Sequence, residues 1–291
     1  MAELDIEPAG VVDSPDEETA EREQPAAAKL SALIAEPNRN LALDLDDAKL
    51  NEIATKVILE FNIDYTSCNE WRERNDEAIK LASLVAEEKD YPFPKAANIK
   101  YPLITVGALQ FNARAYPALI QNDRVCKAKV NGHDVDGQKA ARADRVSEFL
   151  SWQLTSEDPN WEDDTDRLTL QVAILGSMFR KVYWDPVQKR QASRLLTPDR
   201  LVRAYRGRSL EDVPRISEML SLYPYEIEER IRDGRFTAFD YGDATTSDKV
   251  AHGQEPNAND DQSPHEFIEQ HRLLDLDDDG YPEPYIVTVH R

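Results

Sequence analysis

Apolar residues recur at three- and four-residue steps from Asp46 to Glu88, first as Leu50, Ile53, Ala54, Val57 and Ile58, then as Trp71, Ala78, Leu81, Ala82 and Val85. This spacing puts each set on one helical face and predicts two consecutive helices joined near Asn62. Tyr91-Pro-Phe-Pro94 stops the pattern, because proline lacks the amide donor and restricts the residue before it. Pro102 to Ala118 predicts a third helix, with Pro102 suited to a first turn and Leu103, Val106, Leu109, Gln110 and Ala113 along one stripe. Val125 to Val130 alternates and predicts a short strand, followed by a turn over Asn131 to Gly137. Gln138 to Thr155 predicts a fourth helix with Ala141, Val146, Phe149, Leu150 and Leu154 as core positions, and Asp163 to Leu175 a fifth that ends at Gly176.

Beyond Gly176 the period changes from helical to alternating. Met178 to Asp185 predicts a strand closed by Pro186, and 187–204 a second strand with a turn at Pro198-Asp199. Ser209 to Arg215 leads to a strand or connector. Pro224 to Arg232 predicts a short helix capped by Gly234. Phe236 to Gln262 is polar, acidic and poor in aliphatics, which predicts a long flexible loop, placed at about 236–264. Phe267 to Leu274 and Tyr285 to Val289 predict a hairpin joined through Asp275 to Pro284. The fold class expected is α+β: a mainly helical half over 48–176, then short strands and hairpins over 177–291. The last strand runs almost to Arg291 with no predicted element after it, so a longer parent chain is expected, truncated here at its C-terminal side.

Composition changes this picture at the N-terminus. Up to Lys49 there are 13 acidic against 4 basic residues. Such a stretch buries too little apolar surface to offset its ordering entropy, so residues 1–47 are expected to form a disordered acidic tail, with a short helix conceivable at Ala26 to Ala35. Over all 291 residues, 35 Lys and Arg stand against 56 Asp and Glu, a net charge of -21. Mean hydropathy is -0.63. A free-standing protein that coats DNA needs a basic surface, and this chain has the opposite. An acidic wall that keeps a duplex mobile remains compatible, as does plain solubility. MAELDIEPAG lacks the basic and apolar regions of a secretory signal, no apolar run approaches the roughly 20 residues of a membrane span, and two cysteines in so long a chain suggest a reducing compartment. No membrane association is expected.

The candidate chemistry is thin. Asp275-Leu-Asp277-Asp278-Asp279-Gly280 resembles the start of a calcium loop, but Ile286 stands where the bidentate glutamate belongs and the flanks read as strands, so an acidic Asp-Gly hairpin turn is the expectation. His133, Asp134 and Asp136 lie in a glycine-flanked turn without metal-ligand spacing. Cys68 has no local nucleophile signature and sits in a helical stretch, and neither Cys68 nor Cys126 belongs to a CxxC. Neither GxGxxG nor GxxxxGK[ST] occurs, so no phosphate cradle is visible. No catalytic, cofactor-binding or metal residue is therefore assigned, and no cofactor is expected. From Arg180 to Arg215 there are 10 basic against 4 acidic residues, interleaved with Tyr183, Trp184 and Tyr205. This pattern suits a nucleic-acid stripe, a contact with an acidic neighbouring subunit, or the wet face of a strand, the last two together being favoured.

An ordered set of segments resembles the portal proteins of tailed bacteriophages. Tyr91-Pro-Phe-Pro-Lys-Ala-Ala-Asn-Ile-Lys-Tyr-Pro-Leu-Ile-Thr105 is similar to a portal stretch of the form P-G-A/S-N-x-K-Y-P-L-L/I-T, and Ala108-Leu-Gln-Phe-Asn-Ala-Arg-Ala-Tyr-Pro117 follows it. Then come Val130-Asn-Gly-His-Asp-Val-Asp-Gly137, Ala141-Arg-Ala-Asp-Arg-Val146 with Ser151-Trp-Gln-Leu154, Leu175 to Pro186, Ala204 to Pro214 and Glu269 to Val289. Together they cover roughly residues 90 to 291. Lys95-Ala96 departs from the usual Gly-Ala/Ser, and Ser177 and Met178 stand where the family varies.

The resemblance implies a structural subunit, not an enzyme, in a dodecameric ring at one capsid vertex of the virion, assembled in the host bacterial cytoplasm. It implies contacts with capsid and scaffolding proteins, a packaging motor (terminase), a tail adaptor, and double-stranded DNA passing without sequence specificity. It further implies a wing-type α+β domain, with the channel-lining stem and clip mostly beyond Arg291. Two other readings stay open: a metal-dependent enzyme acting on nucleic acid through Asp275, Asp277 and Asp279, and an acidic adaptor binding a basic partner through residues 1–47.

Overall fold

Asp46 starts the first long helix by accepting the Lys49 amide on its carboxylate at 2.9 Å, which satisfies one of the donors a helix start leaves open. The structure, a computed structural model, describes residues 39–84, 90–95, 101–120, 125–185, 188–244, 262–277 and 280–291. Among them, α1 is Asp47–Ser67, α2 Asn69–Ala82, α3 Leu103–Leu119, α4 Gln138–Trp152, α5 Trp161–Leu175 and α6 Pro224–Arg232. The strands are β1 Phe179–Asp185, β2 Arg190–Leu196, β3 Leu201–Arg203, β4 Arg215–Leu222, β5 His265–Leu274 and β6 Glu283–His290. β1 and β2 form a hairpin of their own, and the other four make a sheet in the order β3-β4-β5-β6. The fold is α+β.

The chain divides into two compact units. The smaller comprises Met1–Ile53, Tyr223–Pro264 and Leu273–Tyr285. Within it, α6 opens on Pro224, with the Tyr223 amide donating to Glu226 at 2.9 Å, and closes at Gly234 in the left-handed conformation (φ 71°) that glycine adopts without penalty. Asn40 donates to the Gly234 and Arg235 carbonyls at 2.9 and 3.1 Å and thereby fixes that turn.

The larger unit comprises Ala54–Leu222, His265–Arg272 and Ile286–Arg291. Its central ladder, β4 against β5, carries two like-charged cross-strand pairs, one on each face. Arg215 lies directly opposite Arg272 and Glu218 opposite Glu269. Facing like charges destabilise an isolated ladder, so each face needs a cover of opposite charge. On the first face α1 supplies it. Asp64 takes a bidentate pair of bonds from Arg215 at 2.7 and 3.0 Å, and Glu60, one turn earlier, lies 2.8 Å from Arg272 and 3.8 Å from Arg215. Val57 and Phe61, fully buried, lie among these carboxylates in α1. On the second face the β1–β2 hairpin supplies the cover: Lys181 bonds both Glu218, at 2.7 Å, and Glu269, while Arg194 bonds Glu218. Between the charges Gln270 donates to Ser217 at 2.9 Å, and beyond the glutamate pair Met219 lies opposite Ile268 and Leu220 opposite Phe267.

Two predicted features differ from this. The break between α1 and α2 falls at Cys68, not near Asn62. The helix runs through Asn62, and the Ser67 hydroxyl bonds the Asp64 carbonyl at 2.7 Å while the Cys68 amide turns back to Tyr65. The segment Val125–Val130 is extended but belongs to no sheet. Its alternate amides, Cys126 and Ala128, donate instead to the hydroxyls of Ser151 and Ser147, four residues apart on α4, at 3.2 and 2.8 Å. One two-residue step along an extended chain nearly matches one helical turn, so the alternation is real and its partner is a helix. The acidic tail to residue 38, most of the loop at 245–261, Asp278 and Asp279 lie outside the described residues.

Candidate assembly surface

The residues first considered for chemistry are occupied in building the fold. Cys68 is buried and its thiol points at the Arg203 carbonyl, 3.2 Å away, and both cysteines are free. Asp134 accepts the Lys139 and Ala140 amides at 3.3 and 2.9 Å, which makes it a cap for the start of α4. Asp275 accepts the Gly280 amide at 2.9 Å, closing the predicted hairpin turn. Tyr285, on β6, has its hydroxyl pushed up to about 12 by burial and by the carboxylates of Glu283, Asp277 and Asp275. Among the described residues no group of His, Cys, Asp and Glu could hold a metal ion.

Most of the basic stretch is likewise bonded within the fold. Arg180 donates to the Thr165 hydroxyl at 2.9 Å and the Trp161 carbonyl at 3.3 Å, Lys181 and Arg194 hold the glutamate pair, and Arg190 bonds the Glu157 carbonyl. Arg200 reaches Glu266 at 3.3 Å, Arg203 the Gly207 carbonyl at 2.6 Å, and Arg215 holds Asp64. Seven of the ten cations between Arg180 and Arg215 thus carry internal bonds, and the hairpin exposes the large apolar side chains of Val182 and Trp184. Alternation in the sequence gave no sign of this, because a charge on a strand ordinarily marks the wet face.

The helices invert the usual arrangement. In α3 the residues turned toward the unit are small or polar: Thr105, Ala108, Asn112 and Tyr116. Asn112 donates to Asp166 at 2.9 Å and accepts from Thr169, and Tyr116 donates to Glu162 at 2.8 Å, all three partners lying on α5. That bond, with burial and the nearby charges of Glu162, Asp166 and Asp163, pushes the Tyr116 hydroxyl up to about 12. The predicted stripe faces outward: Leu103 is 70% exposed, Leu109 52%, and Val106 is exposed too, as is Phe111 beside it. In α4 the buried positions are Ser147 and Ser151, while Phe149, at 56%, and Trp152, at 51%, stand in solvent with their rings 5.9 Å apart. Val146 and Leu150 are exposed with them. Of the core positions predicted for α4, Ala141, Val146, Phe149 and Leu150 are therefore corrected to surface positions, while Leu154 is half-buried.

The physical reason is competition for the inner face. The α3–α5 seam and the cradle that α4 offers to 125–130 are held by hydrogen bonds, which need hydroxyl and amide side chains at the spacing that would otherwise carry apolar ones. The large apolar residues are displaced outward. At about 100 Å² for each half-exposed large side chain, α3 and α4 each present on the order of 400–500 Å², and the largest apolar patch of a typical monomer is about that size. This chain carries two such faces.

A hollow of about 410 Å³ lies along the outer side of α3, lined by Gly107, Gln110, Phe111, Arg114 and Ala115. Gly107 sits mid-helix, where glycine costs about 1 kcal/mol relative to alanine, and a Cβ placed there would meet nothing within 4 Å. A glycine interrupting a helical stripe is the one signal the sequence offered for this place. No family model matches the sequence, and no curated protein aligns with it.

Proposed function

We propose that this chain is a structural subunit of a tailed-phage portal ring, a wing-type body that meets identical neighbours around a capsid vertex. On this reading the ring is the conduit for DNA packaging and ejection, and it carries the attachment sites for the terminase motor and the tail adaptor. The observation that carries the reading is the outward display of the large apolar side chains of α3 and α4. Two separate apolar faces on one unit match what a head-to-tail ring requires, since each copy offers one surface to the copy before it and another to the copy after. The ordered portal-like segments from Tyr91 to Val289 support the same reading. So does the inward use of the cations: a subunit that lets DNA slide has no need of an exposed basic stripe.

Mass photometry and negative-stain electron microscopy of the full-length protein test it. Closed rings of a single copy number are the expected result, and a strict monomer at micromolar concentration refutes it. The same preparation incubated with DNA and magnesium or manganese leaves the DNA uncut. Cleavage that disappears in Asp277→Ala would instead establish the metal-dependent enzyme.

A further inference from the structure

We infer that the outer face of α3 around Gly107 is the receiving half of the contact between copies, a socket for the apolar surface of a second copy of this chain. The inference rests on the ring reading above and assigns the surface that reading leaves open. Three observations single out this face. First, Gly107 has no internal purpose. It lies inside a regular helix, so no left-handed backbone demands glycine, and its missing side chain makes room for nothing in its own unit, because a Cβ there meets no atom within 4 Å. A helix-weakening residue whose space is open only toward solvent fits a close approach from outside.

Second, the hollow has the make-up of an interface centre: Phe111 on one wall, Leu103 exposed one turn before Gly107, Gln110 one turn after it and Arg114 two turns after. Aromatic residues and arginine are the side chains enriched at such centres. Third, Arg114 is the only charged residue in the seventeen residues of α3. Its natural complement is a carboxylate, and a chain of net charge -21 supplies carboxylates on its neighbours in excess. Arg114 therefore favours an acidic surface, such as that of another copy, over a basic partner, which it would repel. The apolar area offered, on the order of 500 Å², makes up more than half of the roughly 800 Å² that one partner buries in a standard interface.

The test compares wild type with Gly107→Trp and Arg114→Glu in the full-length protein, reading assembly by mass photometry and folding by far-UV circular dichroism and thermal melting. Gly107→Trp places an indole in the hollow, and the Cβ it adds meets no atom within 4 Å. It is expected to melt no lower than the unassembled wild-type chain and to lower the association constant at least about tenfold, the factor that a loss of about 1.4 kcal/mol of contact produces. Arg114→Glu is expected to lower it comparably at low salt, with part of the loss recovered at high salt as like charges are screened. If wild type and both variants form the same rings at the same concentrations, this socket is wrong and the ring reading stands. Wild type that remains monomeric throughout defeats both. Should Gly107→Trp fail to fold, Arg114→Glu, a substitution at an exposed position, decides alone.

Discussion

Among the described residues, Lys181 is the cation bonded to both members of the glutamate pair on the β4–β5 ladder, and removing its charge should expose what the pair costs. In Lys181→Met the stem that packs beneath the hairpin is kept and the ammonium is lost. Glu269 reports the magnitude. Burial pushes its carboxyl up, but the bonds and charges of His271 and Lys181 outweigh burial and bring it from 4.5 down to about 2. That difference corresponds to about 3 kcal/mol favouring the charged form. Lys181 supplies part of it and also holds Glu218. Arg194 stays on Glu218 and His271 stays on Glu269, so the expected loss at pH 7 is about 2–4 kcal/mol, reaching into the range for breaking a buried pair. The pH dependence has a definite sign. A carboxyl depressed in the folded state stabilises fully above its unfolded value of 4.5 and loses that contribution as pH falls toward about 2. The Glu269 share should fall to below about half by pH 3, so wild type and variant should converge there. Urea unfolding followed by tryptophan fluorescence at pH 7 and pH 3 measures the gap, and the double variant Lys181→Met with Glu269→Gln should recover much of the loss. A gap under about 1 kcal/mol at pH 7, or one that does not narrow at pH 3, would refute the claim that Lys181 neutralises the pair.

Two further outcomes follow from the helical part. Ser147→Ala removes the acceptor of the Ala128 amide and should cost about 1–2 kcal/mol, with faster hydrogen exchange at Ala128 as its local signature and unchanged exchange there as the contrary result. Tyr116, raised to about 12 in the fold, stabilises below its ordinary value near 10 and loses that contribution as pH rises toward 12. Alkaline titration followed by tyrosinate absorbance should show its late ionisation, and Glu162→Gln should move it back toward 10.

The elements themselves were largely legible, because helical and alternating periods are local properties. Each of the helices from Asp47 to Arg232 and the strands β1, β2, β5 and β6 stand near their predicted places, with Val57 of α1 buried as its stripe requires, while for β4 the pattern leaves strand or connector open. What the periods hid was direction. An apolar stripe is read as inward-facing on the premise that the chain buries its own apolar residues, and α3 and α4 break that premise by spending their inner faces on Asn112, Ser147 and Ser151. The charged ladder was hidden for a related reason. Glu218, Glu269, Arg215 and Arg272 occur where a strand shows its wet side, and only the register reveals that they face each other in like pairs and must be covered. Of the candidate site, the sequence carried one usable sign, a glycine inside a helical stripe at Gly107.

The two faces of the ladder bear on how such a subunit keeps its shape inside an assembly. Apolar covers are interchangeable, since any greasy surface satisfies another, and a chain with large exposed apolar faces risks burying the wrong one against its own sheet. Charged keys are not interchangeable. The arginine pair accepts only a carboxylate cover and the glutamate pair only a cationic one, so α1 and the β1–β2 hairpin cannot exchange places, and neither α3, with its one cation and apolar face, nor the Phe149–Trp152 face of α4 can substitute for α1 without leaving two buried arginines unpaired. Ion pairs of this kind add little net stability, but they reject competing arrangements strongly. The apolar faces of α3 and α4 are thereby left for contacts outside the unit, as the proposed ring requires.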